Sequence, residues 1–129
     1  VLVHVFTRDA PLNRLKQQIR SEVPVGSTRA RVEAWGHDKL GGRIPNVTEY
    51  PLADGFARPT IAEAAGVPVE RRVTVLDIVV PCGWYTINGR AAPNHLWVYF
   101  LLNETGEVAD YRFLTLEELA EIEKRRAGR

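Results

Sequence analysis

Cys82 is the single cysteine of the chain, and His95 is the histidine best placed to serve it as a base. The thiolate is the nucleophilic form of cysteine, so catalysis by Cys82 would need a proton acceptor close by in space. Cys82 lies in Val80-Pro81-Cys82-Gly83-Trp84, at the end of an expected strand, and His95 opens the next one. Antiparallel pairing could bring the two together across the hairpin. No recognised local motif surrounds the cysteine, and its simplest role is a small apolar side chain at a strand edge. A lone thiol forms no intramolecular disulfide and no cysteine-based zinc site.

Other reactive groups are equally isolated. His4, His37 and His95 show no metal-ligand spacing, and no His-Glu-x-x-His helix is present. The adjacent His37-Asp38 pair would point apart on a helix. Gly41-Gly42-Arg43 lacks the spacing and the trailing Lys-Ser/Thr of a phosphate loop. Asp77 interrupts an apolar strand, where a carboxylate is costly unless it faces an edge or pairs with arginine. Glu117, Glu118 and Glu121 read as a solvated helix face. The expectation is no catalytic constellation, no metal and no cofactor.

Large aromatic residues are more suggestive. Trp84, Tyr85, Trp97, Tyr99, Tyr111 and Phe113 all fall in the second half. Trp97 and Tyr99 are two apart and must share one sheet face, while Leu96, Val98 and Phe100 share the other. One face meets helices. The other is either covered by the long central connection or forms a surface for a protein partner, since exposed aromatic patches mark interaction sites. On the second alternative Trp97, Tyr99, Trp84 and Tyr111 are the candidate binding residues.

The elements that position these groups follow from periodicity. Leu12, Leu15, Ile19 and Val23 at helical spacing predict a helix over 10–21, capped by Asp9 and started by Pro11. Gly26 turns the chain, Ser27 or Thr28 caps a second helix, and Gly36 is expected at its left-handed C-terminus. Val32 and Trp35 share its buried face. Residues 36–72 form a long irregular insert, with a short strand over 47–52 and a single helical turn opened by Thr60-Ile61-Ala62-Glu63 and stopped at Gly66. Strands follow at 73–80, 95–102 and 107–113. Asn88-Gly89 marks a tight turn, and Asn103-Glu104-Thr105-Gly106 a hairpin loop. Thr115-Leu116-Glu117-Glu118 is a capping box that starts a last helix running to about 126.

With 129 residues the chain is one domain, large enough for a real core. Its 45% hydrophobic and 26% charged residues place it among globular proteins rather than disordered ones. A net charge of +1 disfavours nucleic acid, whose partners carry a clear basic excess. Lys124-Arg125-Arg126 with Arg129 reads as a solvated helix end. Asn46-Val47-Thr48 matches a glycosylation sequon, which matters only in a eukaryotic secretory setting. The chain lacks methionine even at position 1. It is expected to be a trimmed piece of a longer protein, with residues 1–9 either the stub of a removed signal or anchor, or a plain strand or arm.

Gly26-Ser27-Thr28, followed by Val32 and a glycine, resembles the helical motif of SmpA/OmlA-type bacterial lipoproteins and of the β-lactamase inhibitor protein-like fold. The run Trp97-Val98-Tyr99-Phe100-Leu101-Leu102-Asn103-Glu104-Thr105-Gly106-Glu107-Val108-Ala109-Asp110-Tyr111 is similar to their closing hairpin. The similarity covers about residues 11–36 and 73–113. Gly36 comes one residue early, the 36–72 insert is long, the C-terminal helix is an addition, and no lipid-anchor cysteine stands near residue 1. The resemblance implies a periplasmic or membrane-anchored protein acting by protein–protein contact, touching a membrane only through a lost N-terminal anchor. The expected architecture is α+β: two N-terminal helices packed on an antiparallel sheet of three to four strands, with a C-terminal helix. The expected function is a non-enzymatic binding or assembly module. The competing expectations are a small enzyme using Cys82 and His95, and a cytoplasmic inhibitor or immunity-type protein.

Overall fold

The computed structural model describes residues 2–52, 60–87 and 89–128. Among them lie four helices and one antiparallel sheet, in the order α1 (Leu2–Glu22), α2 (Arg29–Lys39), β1 (Asn46–Tyr50), α3 (Thr60–Ala64), β2 (Val73–Ile87), β3 (Arg90–Leu102), β4 (Val108–Thr115) and α4 (Leu116–Ala127). The sheet order is β1-β2-β3-β4, so each strand pairs with its sequence neighbour. The α+β architecture is as expected. Asn88 of the tight turn, and residues 53–59 within the central connection, lie outside the described residues.

Alternation along β2 and β3 divides the core in two. Leu76, Ile78 and Val80 of β2, with Leu96, Val98, Phe100 and Leu102 of β3, face α1 and α2. Leu12 and Ile19 of α1, Val23 just after it, and Val32 and Trp35 of α2 close that side. On the opposite face Val75, Tyr99 and Leu101 pack with Tyr50, Ala62 of α3 and Val67. This second core contains Tyr50, Ala62 and Val67 of the 36–72 insert, so those parts of it pack against the sheet.

The Gly26-Ser27-Thr28 motif earns its residues by joining α1, α2 and β4. Gly26 takes a φ of 95°, which side-chain-bearing residues rarely adopt. Its N–H donates to Val108 C=O at 2.8 Å, and the Val108 N–H returns a bond of 2.8 Å to Ser27 C=O. The buried Ser27 hydroxyl donates to Pro24 C=O at 2.6 Å. Thr28, not Ser27, is the cap: its hydroxyl accepts from the Arg31 N–H at 3.2 Å. The C-terminal Thr115 cap is a full capping box with Glu118, as expected.

Three local expectations are corrected. Residues 2–9, expected as an arm or strand, are helical, and Pro11 lies inside α1 rather than in its first turn. Proline forfeits one hydrogen bond there without forbidding helix on both sides. Gly36 does not end α2, which continues to Lys39. A Cβ at Gly36 would meet the Arg43 carbonyl at 2.9 Å and Pro45 Cδ at 3.1 Å, so the position needs glycine for close approach. Finally, β2 and β3 run well past the expected limits of 80 and 95 to meet at Ile87 and Arg90. Pro81, just past the expected end of the first of these strands, lies at a register shift between Pro81 and Trp84, an irregularity of the kind that accommodates proline in a strand.

Candidate functional site

The sheet separates the two residues of the proposed nucleophile–base pair. Cys82 is half-buried against the helix-facing core. Burial pushes its thiol above the usual range, with Arg14 pulling weakly the other way. His95 is on the opposite face, where its ring meets Trp97 edge-on at 6.5 Å. His95 Nδ1 is buried and has no hydrogen-bond partner among the described residues. The structure therefore does not bring Cys82 and His95 together. A thiol shifted upward is also poor in its nucleophilic form at neutral pH.

Among the described residues no group of three His, Cys, Asp or Glu side chains could hold a metal. His37 and Asp38, expected to diverge, instead meet at 3.4 Å, both exposed beyond the last core contact of α2. Gly41 and Gly42 serve the helix end, with φ of 65° and 88° and a bond of 2.9 Å from Gly42 N–H to His37 C=O. Arg43 reaches the Val79 carbonyl at 3.4 Å, on the stretch of β2 that β1 leaves unpaired. Glu118 is the capping residue of α4, and Glu121 pairs with Arg125 at 3.7 Å.

Asp77 departs from both sequence alternatives. It is not at an edge, because β1 joins the outer side of β2 and makes it an inner strand, and among the described residues it pairs with no arginine. Burial raises its carboxyl above the usual range, and a hydrogen bond from Asn46 partly offsets this. Burial, and then the Asp77 charge, also push the phenols of Tyr99 and Tyr50 upward. Tyr111 is different: it belongs to the helix side, where its hydroxyl donates to Val23 C=O and its ring stacks on Phe113.

Comparison with family models, with curated proteins and with solved structures finds no match for this chain. The site is therefore read from its own geometry.

The four aromatic candidates occupy three places. Trp97 and Tyr99 share a face, as their spacing requires, and pack into the second core with Tyr99 only 5% exposed. Tyr111 is across the sheet. Trp84 is 73% exposed. It sits on a ribbon that sequence reasoning missed. β1 leaves β2 after Asp77, and β4 leaves β3 at Leu96, so 81–87 and 90–95 continue as a two-stranded arm. Pro93, opposite Trp84, is tolerated because that stretch of β3 has no second neighbour. The Asn88-Gly89 signal located the turn; Pro81, Gly83 and Pro93 concealed the strands leading to it.

Two surface grooves complete the candidates. One of about 560 Å³ lies between α1 and α4, with Leu12, Lys16, Glu121 and Ile122 in its walls. The other, about 860 Å³, lies at the end of the sheet among Glu49, Arg72, Thr74 and Glu104. Among the described residues no helix is long and apolar enough to cross a membrane.

Proposed function

We propose that this domain is a non-enzymatic protein-binding or assembly module, and that the arm formed by the ends of β2 and β3 is its contact element. The observation that carries the reading is Trp84, a large aromatic held 73% exposed on a ribbon that has no flanking strand among the described residues. Tryptophan supplies much apolar contact area at small entropic cost and keeps an N–H for a hydrogen bond. Cys82 and His95 lie on opposite faces of their paired strands, which removes the main support for a catalytic alternative. A bacterial extracytoplasmic setting rests on the resemblance to SmpA/OmlA-type and β-lactamase inhibitor protein-like domains alone.

The test uses the immobilised full chain and its Trp84→Ala form in a bacterial periplasmic extract. The expected result is a defined protein retained by the first and lost by the second, with identical circular dichroism. Equal retention by both forms, or rapid alkylation of Cys82 below pH 7 together with loss of an activity in Cys82→Ser, overturns the reading.

A further inference from the structure

β1 is an edge strand with little protection. It pairs with β2 on one side, and among the described residues no strand pairs with the other. Half of its backbone N–H and C=O groups therefore point away from the sheet, a template for another extended chain. Natural edges are commonly blunted by lysine, proline or a bulge. Asn46-Val47-Thr48-Glu49-Tyr50 contains no lysine, proline or bulge; its protection is limited to its shortness, the charge of Glu49 and the flanking Pro45 and Pro51, and Val47 is 39% exposed.

Each face beside this edge carries a carboxylate, Asp77 on one and Glu49 on the other, with Arg72 near Glu49 and Arg43 on the Val79 carbonyl beyond the end of β1. On one face a transverse row runs Asn46, Asp77, Tyr99, Arg112 across the four strands. Arg112 does not serve Asp77: its guanidinium bonds Gly66 C=O, Tyr111 C=O and the Asp110 carboxylate. The half-buried Asp77 has Asn46 for a hydrogen-bond partner and no ion pair among the described residues. A carboxylate in that position is stabilised by any cation brought to it. On the other face Glu49 is exposed beside Thr74, in the groove it shares with Glu104 and Arg72.

We propose that the free edge of β1 takes an extended basic segment of a partner protein as a fifth strand. One lysine or arginine of that segment faces Asp77 past Asn46, and another, three residues along, faces Glu49. Positions 46 and 49 are on opposite faces, so a spacing of three delivers one cation to each. A strand added beside Asn46 lies two strand spacings from Asp77, about 10 Å, which an arginine and an aspartate side chain span together. Main-chain hydrogen bonds supply affinity, and the two carboxylates select for positive charge. This surface is separate from the Trp84 arm, and the proposal stands or falls independently of it.

The probe is a capped ten-residue peptide, Thr-Lys-Val-Thr-Lys-Val-Thr-Lys-Val-Thr, with a glutamate-for-lysine version as control. Binding to the full chain is read by titration calorimetry and by amide hydrogen exchange. The lysine peptide is expected to bind, to weaken as salt rises, and to protect amides within 46–50; the glutamate peptide is expected not to bind. Asp77→Asn combined with Glu49→Gln should weaken binding about tenfold or more at unchanged circular dichroism. Trp84→Ala should bind the lysine peptide as the native chain does. The proposal is overturned if the lysine peptide fails to bind at millimolar concentration, if both peptides bind equally, or if the charge-removed form is unaffected. Protection confined to 81–95 overturns it as well.

Discussion

The two faces of the sheet are made of alternate residues of the same strands, yet they are closed in different ways. Leu96, Val98 and Phe100 look toward α1 and α2 through an apolar interface. Trp35 meets Phe100 edge-on at 5.9 Å, and Trp35 Nε1 donates to the Glu22 carboxylate at 2.9 Å, so the wall over Phe100 is itself tied to α1. His95, Trp97 and Tyr99 look the other way, toward the short α3 and the turn after it. There polar atoms accumulate: the Tyr99 phenol, and His95 Nδ1 and Asp77, which among the described residues have no hydrogen-bond partner and no ion pair, respectively. Two long helices can exclude water from a broad apolar area, whereas one helical turn covers less and leaves polar groups near its margin. The helix side holds the domain together; the other side leaves chemistry unspent.

The largest expected effect is on the helix side. Trp35→Ala should cost about 3–5 kcal/mol in urea unfolding, the range for losing a buried large aromatic. A loss under about 1 kcal/mol would break the comparison by showing that the wall over Phe100 repacks freely.

On the opposite face, Tyr99→Ala should cost at least about 2 kcal/mol but less than Trp35→Ala, because the cover is thinner. Changing Trp97 as well should lower stability further. A domain that keeps full stability without both rings would return them to the role of an exposed binding surface.

The pH dependence of the two aspartates sharpens the contrast. Asp77 is raised in the folded state by burial, so its contribution is fully present below the unfolded value of about 3.9 and is lost as pH rises through the folded value. Asp110 is lowered, first by its hydrogen bond from Arg112. Its contribution is present above about 3.9 and is lost as pH falls through the folded value. Asp77→Asn should therefore gain on the native chain as pH rises from 3 to 7, while Asp110→Asn should fall behind it. Denaturation midpoints across that range measure both, and parallel curves for the two variants would erase the distinction.

The smallest effect belongs to the arm. Trp84→Ala should change stability by no more than about 0.5 kcal/mol, as expected of an exposed position outside both cores. A larger loss in the same unfolding assay would mean that Trp84 packs against the domain.

Most helices and strands were legible because their signals are local. Thr28 finds the N–H of Arg31, and Thr115 and Glu118 cap each other, through contacts within one helical turn. The Asn103–Gly106 loop closes through the Gly106 N–H to Asn103 C=O bond of 3.0 Å. The candidate site was less legible. Trp84 was noticed as an aromatic residue, but Pro81 and Gly83 hid the strand carrying it. A proline forbids a ladder bond only where a neighbouring strand needs one.

By itself the sequence determined whatever depends on spacing along one element. Val32 and Trp35 are buried because three residues return a helix to the same side, and Trp97 and Tyr99 share a face because a strand alternates. Only the tertiary structure decided what depends on which element lies beside which. It put β1 outside Asp77, the Arg43 carbonyl against Gly36, and Cys82 and His95 on opposite faces of their paired strands. Those outcomes come from strand order and one register shift. Both are set by how distant surfaces bury each other, and no local pattern of residue types records them.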